Sequence, residues 1–100
     1  MIIFSRIKGF DSDAGSARKS AAKHGVRQSE AEQVFMNEPL LVSTDTGHSQ
    51  TETRFHALGA TDAGRTLHVT FTLRRQSTLI RVISARDMNR KERKYYGKES

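Results

Sequence analysis

From Thr66 to Leu73 apolar and polar residues take turns, and Leu67, Val69, Phe71 and Leu73 occupy every second position. A period of two puts all four on one side of an extended chain. Strand-like segments flank this one on both sides, Arg54 to Gly59 before it and Thr78 to Ala85 after it. The connections are short: Asp62-Ala63-Gly64-Arg65, with Gly64 free to take positive φ, and Arg74-Arg75-Gln76-Ser77. Successive strands joined by short turns predict an antiparallel meander. Pro39, the only proline, ends anything helical before it and leads into an extended run, Leu40 to Thr44. Asp45 to Thr53 is polar and reads as a loop, and Ile7 to Phe10 as a short opening strand.

Helical signals lie at the two ends. Ala14 to His24 is rich in alanine and lysine, with Asp11 or Asp13 available as N-cap and Gly25 placed as the left-handed C′ residue. Ser29 and Glu32 have capping-box spacing and open a second helix that runs through Phe35, with Val34 and Phe35 directed at the core. Asp87 to Tyr96 is helical by propensity and strongly basic. The expected architecture is α+β in one domain, residues 1–100: two N-terminal helices, an antiparallel sheet meander, and a short basic C-terminal helix.

Composition narrows the function. The net charge is +6 and the hydrophobic fraction 35%; the pI is near 10.2 and the mean hydropathy −0.64. Such a chain suits an anionic partner: nucleic acid, an acidic protein or an anionic surface. There is no cysteine, so disulfides and thiolate metal sites are excluded. No apolar run nears the roughly 20 residues of a membrane helix, and the start is apolar too briefly for a signal peptide. A cytoplasmic protein without membrane association is expected.

The candidate chemistry is cationic. Arg54, Arg65, Arg81 and Arg86 sit on or beside the predicted strands, and arginine is a strong ligand for phosphate. Arg54 and His56 share a strand face, opposite Phe55 and Ala57. Arg81 and Arg86 are five apart, so a regular strand would point them to opposite faces; serving one site requires a bulge or a strand end. Solvated rim charges that deter sheet aggregation are the competing reading. Lys23 and His24 offer proton transfer and electrostatic help, or plain compensation of a helix dipole. Arg90, Arg93, Lys94 and Tyr96 on the last helix suit a phosphate backbone and a stacked base, or a docked helix with wet charges. His48, His56 and His68 lack metal-ligand spacing, so neither metal nor cofactor is expected. Asp45 and Glu52 flank the polar loop and are candidate bases or solvated carboxylates.

Several blocks together resemble a known family. Lys23-His24-Gly25-Val26, Glu30-Ala31, Val34-Phe35, Arg54-Phe55, Leu58-Gly59, Gly64-Arg65, Ile80-Arg81-Val82-Ile83-Ser84-Ala85-Arg86, then Arg90, Glu92, Arg93 and Tyr96 look like the BrnT toxins of type II toxin–antitoxin systems. Ser12, Ser16 and Ser20 stand where tryptophan, lysine and asparagine are usual in that family, and Gln28 where an aromatic is common. The resemblance implies a RelE-like fold and a ribonuclease that acts without the ribosome. It also implies a BrnA-type ribbon-helix-helix antitoxin, with operator DNA bound only through the toxin–antitoxin complex. Lys23, His24, Arg54, Arg81 and Arg86 are then the expected catalytic set for attack of a 2′-OH on its phosphate without metal, with Arg65, Arg90, Arg93, Lys94 and Tyr96 holding RNA. The alternative is a diverged, weakly active or non-catalytic RNA- or protein-binding module on the same fold.

Overall fold

The computed structural model describes residues 7–11, 25–45, 53–76 and 78–99. They form a five-stranded sheet and two helices. The strands are β1 (Gly9–Phe10), β2 (Leu41–Asp45), β3 (Arg54–Ala60), β4 (Thr66–Arg74) and β5 (Leu79–Asp87), and the helices are α1 (Gln28–Gln33) and α2 (Arg90–Glu99). The spatial order is β1-β5-β4-β3-β2. β2 to β5 are antiparallel neighbours in sequence order, which is the expected meander. β1 departs from it: Gly9 and Phe10 pair in parallel with Leu79 and Ile80, so the sheet is mixed.

The alternation in β4 does what its period requires. Leu67, Val69 and Phe71 are wholly buried. Register sets Ala57 and Ala85 on either side of Val69, and Phe55 and Val82 on either side of Phe71. Val26, Ala31 and Val34, contributed by α1 and the residues beside it, cover this face. Phe35 meets Phe71 edge-on at 4.9 Å between centroids, and Phe55 stacks on Phe71 at 5.3 Å. Gly59 marks the closest approach of this layer. A Cβ there would stand 2.9 Å from Val34 Cβ and 3.2 Å from its carbonyl oxygen, so only glycine lets the end of α1 lie on β3.

Two helical expectations need comment. The first predicted helix, Ala14 to His24, lies outside the described residues, and so do Lys23 and His24. Gly25 does have positive φ, at 66°. The second helix is present, but its start differs from the predicted Ser29–Glu32 box. Arg27 is the N-cap residue, and the Glu30 carboxylate accepts its backbone N–H at 3.1 Å. Ser29 is inside the helix, and Glu32 accepts instead from the Gln28 side chain. Glu30 is drawn to this place by a second partner, Arg65, at 3.2 Å.

Arg65 is committed to the fold. Its Nε and Nη2 donate to the two oxygens of Asp87 at 2.7 and 3.0 Å, and its Nη1 donates to Glu30 and to the Gly25 carbonyl at 3.0 Å. The end of β5, the start of α1 and the β3–β4 turn are thereby fastened at one guanidinium. Hydrogen bonds to Asp87 raise the Arg65 pKa above its ordinary value. Asp87 is held below the usual carboxylate range by the same contact, and Glu30 by the Arg27 N–H first and Arg65 after it. Arg65, expected to hold RNA, serves here as a staple of the fold with its side chain still 31% exposed.

Candidate functional site

The sheet face away from α1 is polar, and register arranges it as three rows that cross the strands. Asp45, Arg54, Thr72 and Arg81 form one row, and Ser43, His56, Thr70 and Ser84 the next. Leu41, Leu58, His68 and Arg86 form the third. Neighbours within a row are about 5 Å apart at Cβ, and rows are about 7 Å apart along the strands.

A bulge makes this arrangement possible. Thr70 pairs with Ser84, but Phe71 pairs with Val82, leaving Ile83 without a partner on β4. The extra residue shifts the alternation of β5 by one. Ile80 and Val82 before it, and Ala85 after it, all remain buried in the core. Arg81 and Arg86, five apart, therefore share the opposite face with Arg54. All three are half-buried.

His56 is held at the centre. Its Nε2 lies 2.9 Å from Asp45 Oδ2, and its Nδ1 lies 3.0 Å from Thr70 Oγ1. An ionised carboxylate only accepts, so in the neutral ring Nε2–H donates to Asp45 and the Nδ1 lone pair accepts from the Thr70 hydroxyl. The ring is thus fixed in tautomer and orientation by a partly buried acid. The adjacent His68 ring lies 4.8 Å from it between centroids. Burial lowers the His68 pKa, and the nearby positive charge of Arg86 lowers it further, so His68 is neutral at physiological pH.

Glu92 ties α2 to this face. It accepts from Arg86 Nη1 at 2.8 Å and Nη2 at 3.0 Å, a bidentate pair, and its Oε2 stands 3.9 Å from His68 Nε2. It also closes a capping box with Asn89: Asn89 N–H donates to Glu92 Oε1 at 2.9 Å, and Glu92 N–H donates to Asn89 Oδ1 at 2.8 Å. Burial alone would raise the Glu92 pKa, but Arg86 and the Asn89 N–H outweigh it and hold the acid ionised.

The C-terminal helix divides its aromatics. Tyr96 is buried, at 8% exposure, and its hydroxyl donates to the Pro39 carbonyl at 2.7 Å. It anchors α2 rather than lying open to a base, whereas its neighbour Tyr95 is 55% exposed. Arg90, Arg93 and Lys94 are exposed, although one Arg93 nitrogen donates to the Met88 carbonyl at 2.6 Å. A cavity of about 230 Å³ opens between α2 and the strands, lined by Leu41, Ser43, His56, Leu58, His68, Glu92 and Tyr95.

The sequence reading placed Arg54 and His56 on one face, and the structure agrees. Asp45, expected to flank a loop as a candidate base or a solvated carboxylate, closes β2 and reaches His56 across the strands. His68, Thr70 and Glu92 were not singled out for the site. Glu92 did carry a signal, since Asn89 and Glu92 have capping-box spacing, but the partners of His56 depend on register. Among the described residues no group of three or more histidine, aspartate or glutamate side chains is arranged to hold a metal ion. Nor is any helix among them long and apolar enough to cross a membrane.

Fold and face together define a small α+β domain whose polar sheet face carries three half-buried arginines and an oriented histidine. Residues 13–92 match the family of the ribonuclease toxin BrnT of type II toxin–antitoxin systems, and the chain belongs to that family. Membership implies an RNA substrate and an antitoxin partner. No curated protein matches the chain.

Proposed function

We propose that this protein is a metal-independent endoribonuclease toxin that cuts RNA without the ribosome and is neutralised by a BrnA-type ribbon-helix-helix antitoxin. Family membership supports the class of activity. The observation that carries the mechanism is the bulge at Ile83, which brings Arg81 into the row of Arg54 and beside the row of His56.

In this reading Arg54 and Arg81 reach the scissile phosphate from the strands on either side of Thr72 and stabilise the charge of the pentacoordinate transition state. His56 is the general base. Its Nδ1 takes the 2′-OH proton once the Thr70 hydroxyl swings aside, and Asp45 stabilises the imidazolium that results. The 2′ oxygen bonds to phosphorus, the bond to the 5′ oxygen breaks, and an acid protonates the leaving oxygen. Lys23 and His24, in the segment before Gly25, are the assigned acid or electrostatic helpers. Products are a cyclic 2′,3′-phosphate and a free 5′-OH. Arg86 acts through Glu92, and Arg90, Arg93 and Lys94 hold the flanking RNA backbone.

The test is cleavage of naked RNA by purified protein in EDTA with no ribosomes present. Arg81→Ala is expected to lose most activity while keeping its fold, and undiminished cutting by that variant rejects the assignment. One observation favours a second reading, a module that binds RNA without cutting it: both ring nitrogens of His56 are already hydrogen-bonded. That reading predicts salt-sensitive RNA binding with intact RNA recovered. An adjacent reading frame for a small ribbon-helix-helix protein would support the toxin assignment and its operator-bound complex.

A further inference from the structure

The cavity under α2 lies beside His56, and its walls differ from the cationic rows. Leu41 and Leu58, paired across β2 and β3, provide an apolar surface. The Tyr95 ring, 55% exposed, is presented from α2. His68 and Glu92 supply polar edges, and Ser43 adds a hydroxyl. At about 230 Å³ the space is smaller than the roughly 300 Å³ at which pockets for drug-sized ligands begin, which suits one flat ring system. An exposed aromatic facing aliphatic side chains, with a few polar groups at the margin, is the surface on which a nucleobase stacks.

We propose that this cavity is a nucleobase subsite, seating a base beside His56 and the phosphate held by Arg54 and Arg81, and choosing among bases through Glu92. The proposal rests on the ribonuclease reading for its place in the reaction, but not for the binding itself. Selection follows from the state of Glu92. Arg86 and Asn89 keep it ionised, so it offers an acceptor and no donor. A base with an exocyclic amino group can donate to it, as cytosine does to acidic side chains. Uracil cannot do so as well, because its single ring N–H lies between two carbonyl oxygens that the carboxylate repels. His68, neutral beside it, adds no competing positive charge at the cavity wall.

Two measurements on the full chain test this. In the first, nucleoside 3′-monophosphates and ribose 5-phosphate are titrated while the imidazole signals of His56 and His68 are followed by NMR. Adenosine, cytidine or guanosine monophosphate should shift His68 at lower concentration than ribose 5-phosphate, with uridine monophosphate weakest of the nucleotides. Tyr95→Ala should weaken the nucleotides about tenfold, leave ribose 5-phosphate unchanged, and be rescued by Tyr95→Phe. Equal responses to all ligands, strongest binding by uridine monophosphate, or wild-type behaviour of Tyr95→Ala would overturn the subsite.

In the second, an oligoribonucleotide carrying one abasic position beside the cleaved linkage is compared with its base-bearing parent. Wild-type protein should cut the parent about tenfold faster, and Tyr95→Ala should cut the two alike. A variant that keeps the full wild-type ratio overturns the subsite. Failure of the wild type to cut either RNA rejects the ribonuclease reading, and the titration then decides the subsite independently.

Discussion

The two faces of the sheet are built from the same strands and differ in almost every physical respect. One face, under α1, is a packed layer in which Leu67, Val69 and Phe71 are fully buried. The other carries Arg54, His56, His68, Arg81 and Arg86, all half-buried, with His56 and Arg86 tied by hydrogen bonds and ion pairs. The apolar face gains from area removed from water, which tolerates small errors of placement. The polar face gains little net stability from its ion pairs, because each charge gives up hydration to form them. What it gains is geometry, with an imidazole held in one tautomer and the Arg86 guanidinium held by Glu92. One side therefore holds the molecule together, and the other holds groups where they can act.

That division is broken most sharply by one substitution on each face. Phe71→Ala should destabilise the protein by about 3–5 kcal/mol, seen as a large fall in denaturation midpoint. His56→Ala should instead lower the rate of RNA cleavage about 10²- to 10⁴-fold, with a much smaller change in that midpoint. If His56→Ala unfolded the protein as readily as Phe71→Ala, the polar face would be a second core and the contrast would fail. Gly59→Ala is next in size. Its Cβ meets Val34 on the packed side, so a loss of about 1–3 kcal/mol is expected by chemical denaturation. Asn89→Ala removes the cap of α2 and should cost about 1 kcal/mol, and by loosening Glu92 it should also change how Arg86 is held.

Acid should act mainly on the ion-paired groups. His68 titrates below its ordinary value of 6.5, so the unfolded chain takes up that proton first. Stability is complete above pH 6.5 and declines gently as the pH falls from there toward the lower value in the fold. Glu30 and Glu92 are held below 4.5 and Asp87 below 3.8. Their contribution is present above those values and lost as the pH drops through the depressed ones. A melting temperature that stayed flat from pH 7 down to about pH 2 would mean these contacts contribute nothing.

The packed face could be read from the chain and the working face only in part. Every second residue of β4 is apolar, and that rhythm requires no knowledge of a neighbouring strand. The limits of β3, β4 and β5 were close for the same reason. Arg54 and His56 were also placed together, because a spacing of two fixes their side within one strand. Asp45 beside His56 was out of reach, since it depends on how β2 is aligned against β3, and no local pattern encodes that alignment. The start of α1 was misplaced because Ser29–Glu32 and Arg27–Glu30 both offer a glutamate at the third position, and the choice is made by Arg65 from a distant turn. Tyr95 and Tyr96 differ only in helical phase, which became visible once Tyr96 had found Pro39.

Ile83 makes parity a property of this protein. Because the strand miscounts by one there, an odd interval separates two side chains that must face the same way. Removing Ile83 would take out the extra residue, leave an even interval between Arg81 and Arg86, and keep both on one face of a regular strand. Adding one residue there with no second bulge would instead turn one end of the strand inside out, driving a guanidinium into the hydrocarbon layer or an isoleucine into water. Deletion and insertion should therefore differ sharply within this short interval, the first absorbed by loss of the bulge and the second not.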